Sequence, residues 1–313
     1  MDSQQNKRFE SALYAVNERI ARLLRAVSPE LKDEIQEIRL RVNKFLAVTI
    51  KGQSFFVLKN STLCPTPEEE CVIVSQNDVE ESFKLLIRGS VYSHLNEIKD
   101  GYIMMRHGHR AGICGSFSKT GNMIHISSIN IRISRQVFGC ADEIFKGYTN
   151  GGLLIAGPPG SGKTTVLRDF IRQMSTGTKT SAKRVCVVDT RGEISASYLG
   201  ESFNDLGQNT DVLVGYEKHK GFLMAVRTMF PDIVAFDEFG TKEELDNISE
   251  GFLSGVSVAL TAHINNEYDL VERKITNSLL KSGAINTVAV LYGSPFKRMS
   301  VLTVGQVLKQ CGQ

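Results

Sequence analysis

The sequence contains no tryptophan, only seven prolines and six cysteines among its 313 residues. The cysteines are scattered and no two have the Cys-x-x-Cys spacing of zinc sites and redox pairs, so neither is predicted. The charges nearly cancel, because 37 Lys and Arg face 34 Asp and Glu, and a net charge of +3 gives no support to nucleic-acid binding. No apolar run approaches the ~20 residues that span a bilayer, and the polar N-terminus lacks a signal-peptide core. We therefore expect a reduced, cytoplasmic protein with no transmembrane segment.

The length corresponds to about two domains of ~150 residues each. In the first half, apolar residues at three- and four-residue steps from Phe9 to Val27 predict one amphipathic helix. Alternation of apolar and basic residues over Ile38–Val42 predicts a half-buried strand. Further elements are predicted near 45–50, 55–58, 78–88 (a helix), 102–105, 110–115 and 129–133. Residues 1–148 are therefore predicted to form a smaller α+β domain.

The second half begins after a polar, glycine-rich stretch at 146–152. Beyond it, short continuous apolar runs alternate with segments of helix length, which is the pattern of a mainly parallel sheet covered by helices. The predicted strands are 153–156, 185–188, 233–236, 256–260 and 288–291. Residues 149–313 are therefore predicted to form an α/β domain.

A phosphate-binding loop is predicted at 157–164, where Gly-Pro-Pro-Gly-Ser-Gly-Lys-Thr matches G-x-x-x-x-G-K-[ST] at every fixed position. Glycines let successive N–H groups point at phosphate oxygens, Lys163 would reach the β- and γ-phosphates, and Thr164 would bind Mg²⁺. The alternative is a glycine turn that happens to carry a lysine, but the preceding strand and following helix favour a nucleotide site. The residues predicted to bind the nucleotide are Gly157, Pro158, Pro159, Gly160, Ser161, Gly162, Lys163, Thr164 and Thr165.

Polar residues follow three other predicted strands, and the carboxyl ends of parallel strands face one crevice. Asp237 is predicted to hold the Mg²⁺ shell and Glu238 to polarise the attacking water, although both could instead cap the next helix. Glu193 is a second candidate base. His263 is either a sensor of the γ-phosphate or a surface histidine.

The phosphate loop and the polar strand ends resemble the stage III sporulation protein AA family, which is related to the secretion ATPases of type II and type IV systems. Three segments of the first half resemble the same family, namely Glu37–Arg41, Gly108–Gly115 and Ile129–Gln136. The resemblance implies a RecA-like P-loop motor domain that binds ATP and Mg²⁺, hydrolyses ATP and assembles as a ring-shaped homo-oligomer, a hexamer. It also implies a role in endospore formation. The motor would energise a membrane-embedded channel or secretion complex between mother cell and forespore, as a peripheral protein on the mother-cell side.

The resemblance also assigns individual residues. Glu193 matches the glutamate that activates water, Glu238 the glutamate of the second carboxylate motif, and His263 the histidine-box residue. In secretion ATPases, arginines of the N-terminal domain close over the nucleotide, and the positions to test here are Arg110, Arg132 and Arg135. Strand alternation alone would instead place Arg132 on a solvent face. The sequence departs from the family at Thr190, where an acidic residue commonly stands.

Thr190 supports an alternative to the motor, namely an ATP-gated scaffold in which nucleotide only sets the oligomeric state. A nucleic-acid translocase has little support, because the basic cluster Arg106–Arg110 lacks interleaved aromatic residues, and no direct contact with nucleic acid is expected. A small-molecule kinase is disfavoured, since acid-bearing strand ends suit water activation. No N-K-x-D guanine signature follows the loop, which favours ATP over GTP.

Overall fold

The computed structural model describes residues 4–87, 98, 101–117, 123–197, 200–253, 255–293 and 298–311. The chain divides into two compact units, Met1–Arg135 and Gln136–Gln313. This division lies before the boundary that the sequence predicts after residue 148. The reason is the helix Asp142–Gly147, whose Ile144 joins the core of the second unit and whose Gly147 lies so close to Val301 that a Cβ would stand 3.0 Å from its Cγ1.

The first unit is an α+β unit built on one antiparallel sheet, in the order β4-β3-β2-β1-β7-β6-β5. Its helices are α1 Gln4–Leu13, α2 Glu18–Arg25, α3 Pro29–Glu34 and α4 Gln76–Leu86. Its strands are β1 Ile35–Arg41, β2 Ala47–Ile50, β3 Gln53–Val57, β4 Leu63–Cys64, β5 Tyr102–Met104, β6 Arg110–Phe117 and β7 Met123–Arg132. The part of the predicted helix at Arg88 lies outside the described residues.

The prediction of a single helix from Phe9 to Val27 is wrong, because the chain breaks between α1 and α2. Asn17 causes the break by capping α2: its Oδ1 accepts the Ile20 N–H at 3.3 Å. Its amide also donates to Asp78 at 2.8 Å, which ties the break to α4. Most of the predicted apolar face is nevertheless buried, since Phe9, Leu13, Val16, Ile20 and Leu24 belong to the hydrophobic core of the first unit.

Two cysteines that the sequence gave no reason to pair lie together in the first unit. The Sγ atoms of Cys64 and Cys71 are 3.7 Å apart, and both residues are buried. Burial and the contact with Cys71 raise the pKa of the Cys64 thiol to about 11. The thiol is therefore protonated at neutral pH and is a poor nucleophile.

His109 is fully buried and connects α1 to the segment that follows β7. Its Nδ1 accepts the Ser134 N–H at 3.0 Å, and its Nε2 lies 2.7 Å from the Ser11 hydroxyl. That hydroxyl donates its proton to the Arg8 carbonyl, so Nε2 is the donor and the imidazole is neutral. Burial, with the nearby charges of His107 and Arg8, lowers the pKa of His109 to about 3.

This buried imidazole predicts acid sensitivity. In the unfolded chain His109 has its ordinary pKa of 6.5, so between pH 6.5 and 3 the unfolded state binds a proton that the folded state excludes. The free energy of unfolding should therefore fall as the pH drops through this window, by up to about 1.4 kcal/mol per pH unit. Urea unfolding followed by circular dichroism at pH 7, 5.5 and 4 measures this slope.

The matched variants separate this histidine from other titrating groups. His109→Gln keeps a donor and an acceptor without a titrating ring, and should flatten the slope between pH 6.5 and 4. The exposed His125 of the same unit serves as control, and His125→Gln should leave the slope unchanged. Equal slopes for wild type and His109→Gln would contradict the prediction.

The second unit carries a sheet in the order β10-β9-β11-β12-β8-β13-β14. Neighbours from β10 to β13 pair in parallel, and β14 joins antiparallel at the edge. The strands are β8 Leu153–Gly157, β9 Val185–Asp189, β10 Thr210–Val214, β11 Ile233–Phe236, β12 Ser257–His263, β13 Thr287–Tyr292 and β14 Arg298–Thr303. The helices are α5 Asp142–Gly147, α6 Lys163–Thr176, α7 Lys218–Met224, α8 Lys242–Leu253, α9 Asp269–Glu272, α10 Lys274–Lys281 and α11 Val304–Cys311, and a π-helical turn spans Ala225–Met229.

The central strands of this sheet are apolar on both faces because a separate hydrophobic core lies on each side. The edge strands β10 and β14 were not predicted, since both are half-exposed and lack a continuous apolar run. None of the helices in the described part of the chain combines the length and apolarity needed to cross a bilayer. The parallel pairing brings the carboxyl ends of β8, β9, β11 and β12 to one edge.

Candidate functional site

The predicted phosphate loop joins the buried strand β8 to α6. Gly160 and Gly162 have φ angles of 72° and 91°, a left-handed conformation that favours glycine, and α6 begins directly after Gly162. Gly157 is also required, because a Cβ there would stand 2.8 Å from the Ser161 hydroxyl and 3.0 Å from the Leu291 carbonyl. The Ser161 Oγ is buried, with no hydrogen-bond partner in the described part of the chain. The loop thus has the compact shape that presents backbone N–H groups to an anion at a helix N-terminus.

Lys163 is buried, with 6% of its surface exposed, and folds back over this loop. Its ammonium group donates to the carbonyls of Gly157 at 3.0 Å and Pro158 at 2.9 Å, and its third contact is Nδ1 of His263 at 3.0 Å. Because an ammonium group can only donate, Nδ1 is an acceptor and the imidazole proton is on Nε2.

The charge of Lys163 depends on two opposing influences. Burial lowers the pKa of its ammonium group, whereas the carboxylates of Asp237 and Glu238 raise it. The two acids therefore favour the charged form that phosphate binding needs.

Asp237 follows β11 and lies against the first turn of α6. The Thr164 hydroxyl donates to its Oδ2 at 2.6 Å, and the Thr261 hydroxyl donates to its Oδ1. A hydroxyl and a carboxylate side by side form an oxygen donor set that fits Mg²⁺. Sequence reasoning missed Thr261, which is fully buried, although a hydroxyl after the apolar run Val256–Leu260 was a signal for it.

Glu238 has a left-handed backbone with φ 60°, which is strained for a residue with a Cβ. Its N–H donates to the Thr261 hydroxyl at 2.8 Å and to Asp237 Oδ1 at 3.1 Å. Its carboxylate lies 3.6 Å from Nε2 of His263 and 3.8 Å from Arg191. The carboxylate therefore faces the proton-bearing nitrogen of the histidine that contacts Lys163.

Neither of these acids caps α8. The cap is a capping box, in which the Thr241 hydroxyl accepts the Glu244 N–H at 3.2 Å and Glu244 Oε2 accepts the Thr241 N–H at 3.1 Å. Glu244 also accepts the Gly240 N–H at 2.8 Å. Asp237 and Glu238 are thus left to face the crevice, and the capping alternative is wrong.

Glu193 is exposed in the loop after β9, and two interactions shape that loop. The buried Asp189 accepts the Ser195 N–H at 2.8 Å and its hydroxyl at 2.6 Å, which turns the loop back. Arg168 of α6 donates to the carbonyls of Glu193 and Ile194, both at 3.0 Å. Sequence reasoning missed Arg168, which ties the backbone of the candidate base to the helix that starts at the phosphate loop.

The carboxylates converge on a cleft of about 120 Å³. It is lined by Glu193, Asp237 and Glu238 together with Lys218, Thr190 and Arg191 among others. A larger cleft of about 680 Å³ lies at the amino ends of the strands, lined by residues such as Arg184, Phe230 and Asp232, and contains none of the predicted site residues. Volume alone would therefore point to the edge of the sheet opposite the predicted site residues.

The three candidate arginines belong to the first unit, where each is engaged. The guanidinium of Arg110 lies 3.7 Å from the centre of the Tyr102 ring. Arg132 is 3.5 Å from Glu37, with 66% of its side chain exposed, as strand alternation predicts. Arg135 donates to the carbonyls of Asp33 at 3.0 Å and Ile35 at 3.1 Å, and burial lowers its pKa. Their action on a nucleotide stays a prediction.

Comparison with known proteins shows which family and which known folds the chain resembles. Residues 5–297 match the family model described as Sporulation stage III, protein AA. Stage III sporulation protein AA of Bacillus subtilis (strain 168) is 34% identical over 261 residues, which cover 81% of each chain. The pilus retraction motor PilT with bound ADP is similar in structure, with a TM-score of 0.59 at 14% identity over 94% of this chain and 85% of that chain. The Yersinia pseudotuberculosis ATPase DotB has a TM-score of 0.58 at 15% identity, covering 95% and 82%.

Proposed function

The chain belongs to the sporulation stage III protein AA family, and from that premise we propose that it is an ATP-hydrolysing motor of the secretion-ATPase type. The second unit would be its RecA-like P-loop domain. The observation that carries the proposal is the cluster at one edge of the sheet. There the buried ammonium of Lys163, the Thr164–Asp237 pair and the carboxylates of Glu193 and Glu238 meet.

Nucleotide binding would reorganise the contacts of Lys163. Phosphate oxygens are charged acceptors and compete with the Gly157 and Pro158 carbonyls and with His263 Nδ1 for the same ammonium group. Transfer of Lys163 to the phosphates releases Nδ1 of His263. His263 therefore acts as the sensor of the γ-phosphate, and the Glu238 carboxylate faces its Nε2 at 3.6 Å.

Thr164 and Asp237 would hold Mg²⁺, which supplies neutralisation of charge on the phosphates. Glu193 acts as the base for the attacking water, since it opens onto the cleft and is in no ion pair among the residues that the structure describes. Glu238 remains the alternative base. Arg110, Arg132 or Arg135 would complete the site in a ring-shaped assembly, a hexamer, by stabilising charge on the γ-phosphate.

In the cell, the motor would act in endospore formation. It would dock beneath a membrane-embedded channel complex on the mother-cell side and energise its assembly or transport through it. The family assignment supports this placement, and the likeness to the fold of a pilus motor supports a motor that serves a membrane machine.

A second candidate function is the ATP-gated scaffold. Thr190 lines the cleft beside the carboxylates, and a threonine hydroxyl is no base at neutral pH, so the position at which the family commonly has an acid contributes none here. A scaffold would assemble equally with ATP and with a non-hydrolysable analogue.

Phosphate release at increasing protein concentration tests the proposal. We expect turnover with ATP and Mg²⁺ to rise per subunit as the protein assembles, because an arginine supplied by a neighbouring copy completes the site. Light scattering in parallel reports assembly with ATP and with the analogue. An assembled protein that binds ATP and Mg²⁺ without releasing phosphate would overturn the motor and leave the scaffold.

A further inference from the structure

Lys218, the first residue of α7, reaches the segment that carries Glu238. Its ammonium group donates to the main-chain carbonyl of Glu238 at 2.5 Å, and only 23% of its side chain is exposed. It also lies 3.5 Å from Glu244 Oε1. Lys220, two residues further on, pairs with Glu217 in the usual way of a surface lysine and is 66% exposed.

Glu244 holds the Lys218 ammonium group in position. One of its carboxylate oxygens is used in the capping box of α8, and the other faces the Lys218 ammonium. Because Glu244 is buried, this charge has a fixed position and is little screened by water. Lys218 therefore connects the start of α8 to the backbone of Glu238.

The backbone of Glu238 needs such support. A left-handed conformation at a residue with a Cβ costs of order 1–3 kcal/mol and persists only where the surroundings hold it. The N–H side of Glu238 is held by Thr261 and Asp237, and the carbonyl side by Lys218. With both sides fixed, the carboxylate is directed toward His263.

We propose that Lys218 is a positioning residue for the Glu238–His263 pair. It acts through the main-chain carbonyl of Glu238, and its ammonium group keeps the Glu238 carboxylate facing Nε2 of the sensor histidine. This inference rests on the proposed function, because it assigns Lys218 to the γ-phosphate response of the same site.

The first test compares turnover in three full-length variants. Lys218→Met removes the ammonium group but keeps the length of the stem, and we expect kcat to fall about tenfold with KM for ATP changed by less than twofold. Lys218→Arg, which retains a donor, should recover most of the loss. Lys220→Met is the matched control and should behave as wild type. Thermal unfolding midpoints identify a variant that loses activity by unfolding.

A double-mutant cycle shows whether Lys218 acts through Glu238. If it does, Lys218→Met in a Glu238→Gln background should cause little further loss, because the group that it positions is already gone. If the double variant instead loses kcat by the product of the two single losses, the proposal is overturned and Lys218 acts separately on the substrate.

A spectroscopic measurement tests the same contact without nucleotide. The imidazole ¹⁵N signals of His263, assigned with His263→Gln, should show a protonated Nε2 in the wild type. They should shift in Lys218→Met and in Glu238→Gln, but not in Lys220→Met. Unchanged signals in Lys218→Met would overturn the positioning role even if turnover fell.

The outcomes separate this inference from the proposed function. If the wild-type protein turns over ATP and Lys218→Met does so equally well, only the positioning role fails. If the assembled wild-type protein releases no phosphate, the motor fails and the role of Lys218 in turnover fails with it.

Discussion

Replacing Lys163 by alanine is expected to reduce ATP turnover by about 10³-fold. The buried ammonium group is the cation at the phosphate loop, and its contacts with the Gly157 and Pro158 carbonyls and with His263 show that it can satisfy three acceptors at that point. Alanine leaves the phosphates without this cation. Phosphate release measures turnover, and titration with a fluorescent ADP analogue measures the accompanying loss of affinity.

The control for this variant is Lys242→Ala, which removes an exposed lysine at the start of α8. It should retain wild-type turnover and affinity. Because Lys163 also holds two loop carbonyls, circular dichroism must show that Lys163→Ala is folded. A folded Lys163→Ala protein that turns over ATP within tenfold of wild type would refute the nucleotide site proposed here.

Replacing Glu193 by glutamine should lower turnover by about 10²- to 10⁴-fold while leaving the affinity for ATP within about threefold. Glutamine has the shape of glutamate but cannot take a proton from water. Arg168 holds this residue through its main-chain carbonyl, so the substitution leaves the loop in place and removes only the carboxylate. Single-turnover phosphate release separates the chemical step from product release.

Glu238→Gln is the informative comparison. Since its carboxylate is engaged with His263 and Arg191, we expect a smaller loss, about tenfold, in this variant. Glu243→Gln, at an exposed position of α8, controls for the loss of an acid near the site. If Glu238→Gln has the larger effect and Glu193→Gln the smaller, the two carboxylates have exchanged roles and Glu238 is the base.

The strands of the second unit show which features local sequence can predict. The buried central strands were predicted because a strand covered on both faces must be apolar throughout. The edge strands Thr210–Val214 and Arg298–Thr303 were missed because half-exposed residues carry no such signal. The division of the chain was placed late for a related reason. The polar stretch at 146–152 covers the end of the helix Asp142–Gly147 and the loop after it, within the second unit, and nothing in its composition distinguishes it from a linker.

By itself, the sequence determined the phosphate loop, the acids and histidine at the carboxyl ends of the neighbouring strands, and the family to which the chain belongs. These features depend on residue type and on spacing along the chain. Tertiary structure decided what each group faces. In the folded chain Lys163 contacts His263, and Glu244 rather than Glu238 caps α8. Arg168 donates to the carbonyl of Glu193, and Lys218 donates to the carbonyl of Glu238. The partners lie up to 100 positions apart in the sequence. Each contact depends on where the fold places a main-chain carbonyl or on which conformation a side chain adopts. The Thr241–Glu244 capping box has the [ST]-x-x-E spacing, which is a signal in the sequence. The other partners have no pattern along the chain, so only the folded chain could reveal them.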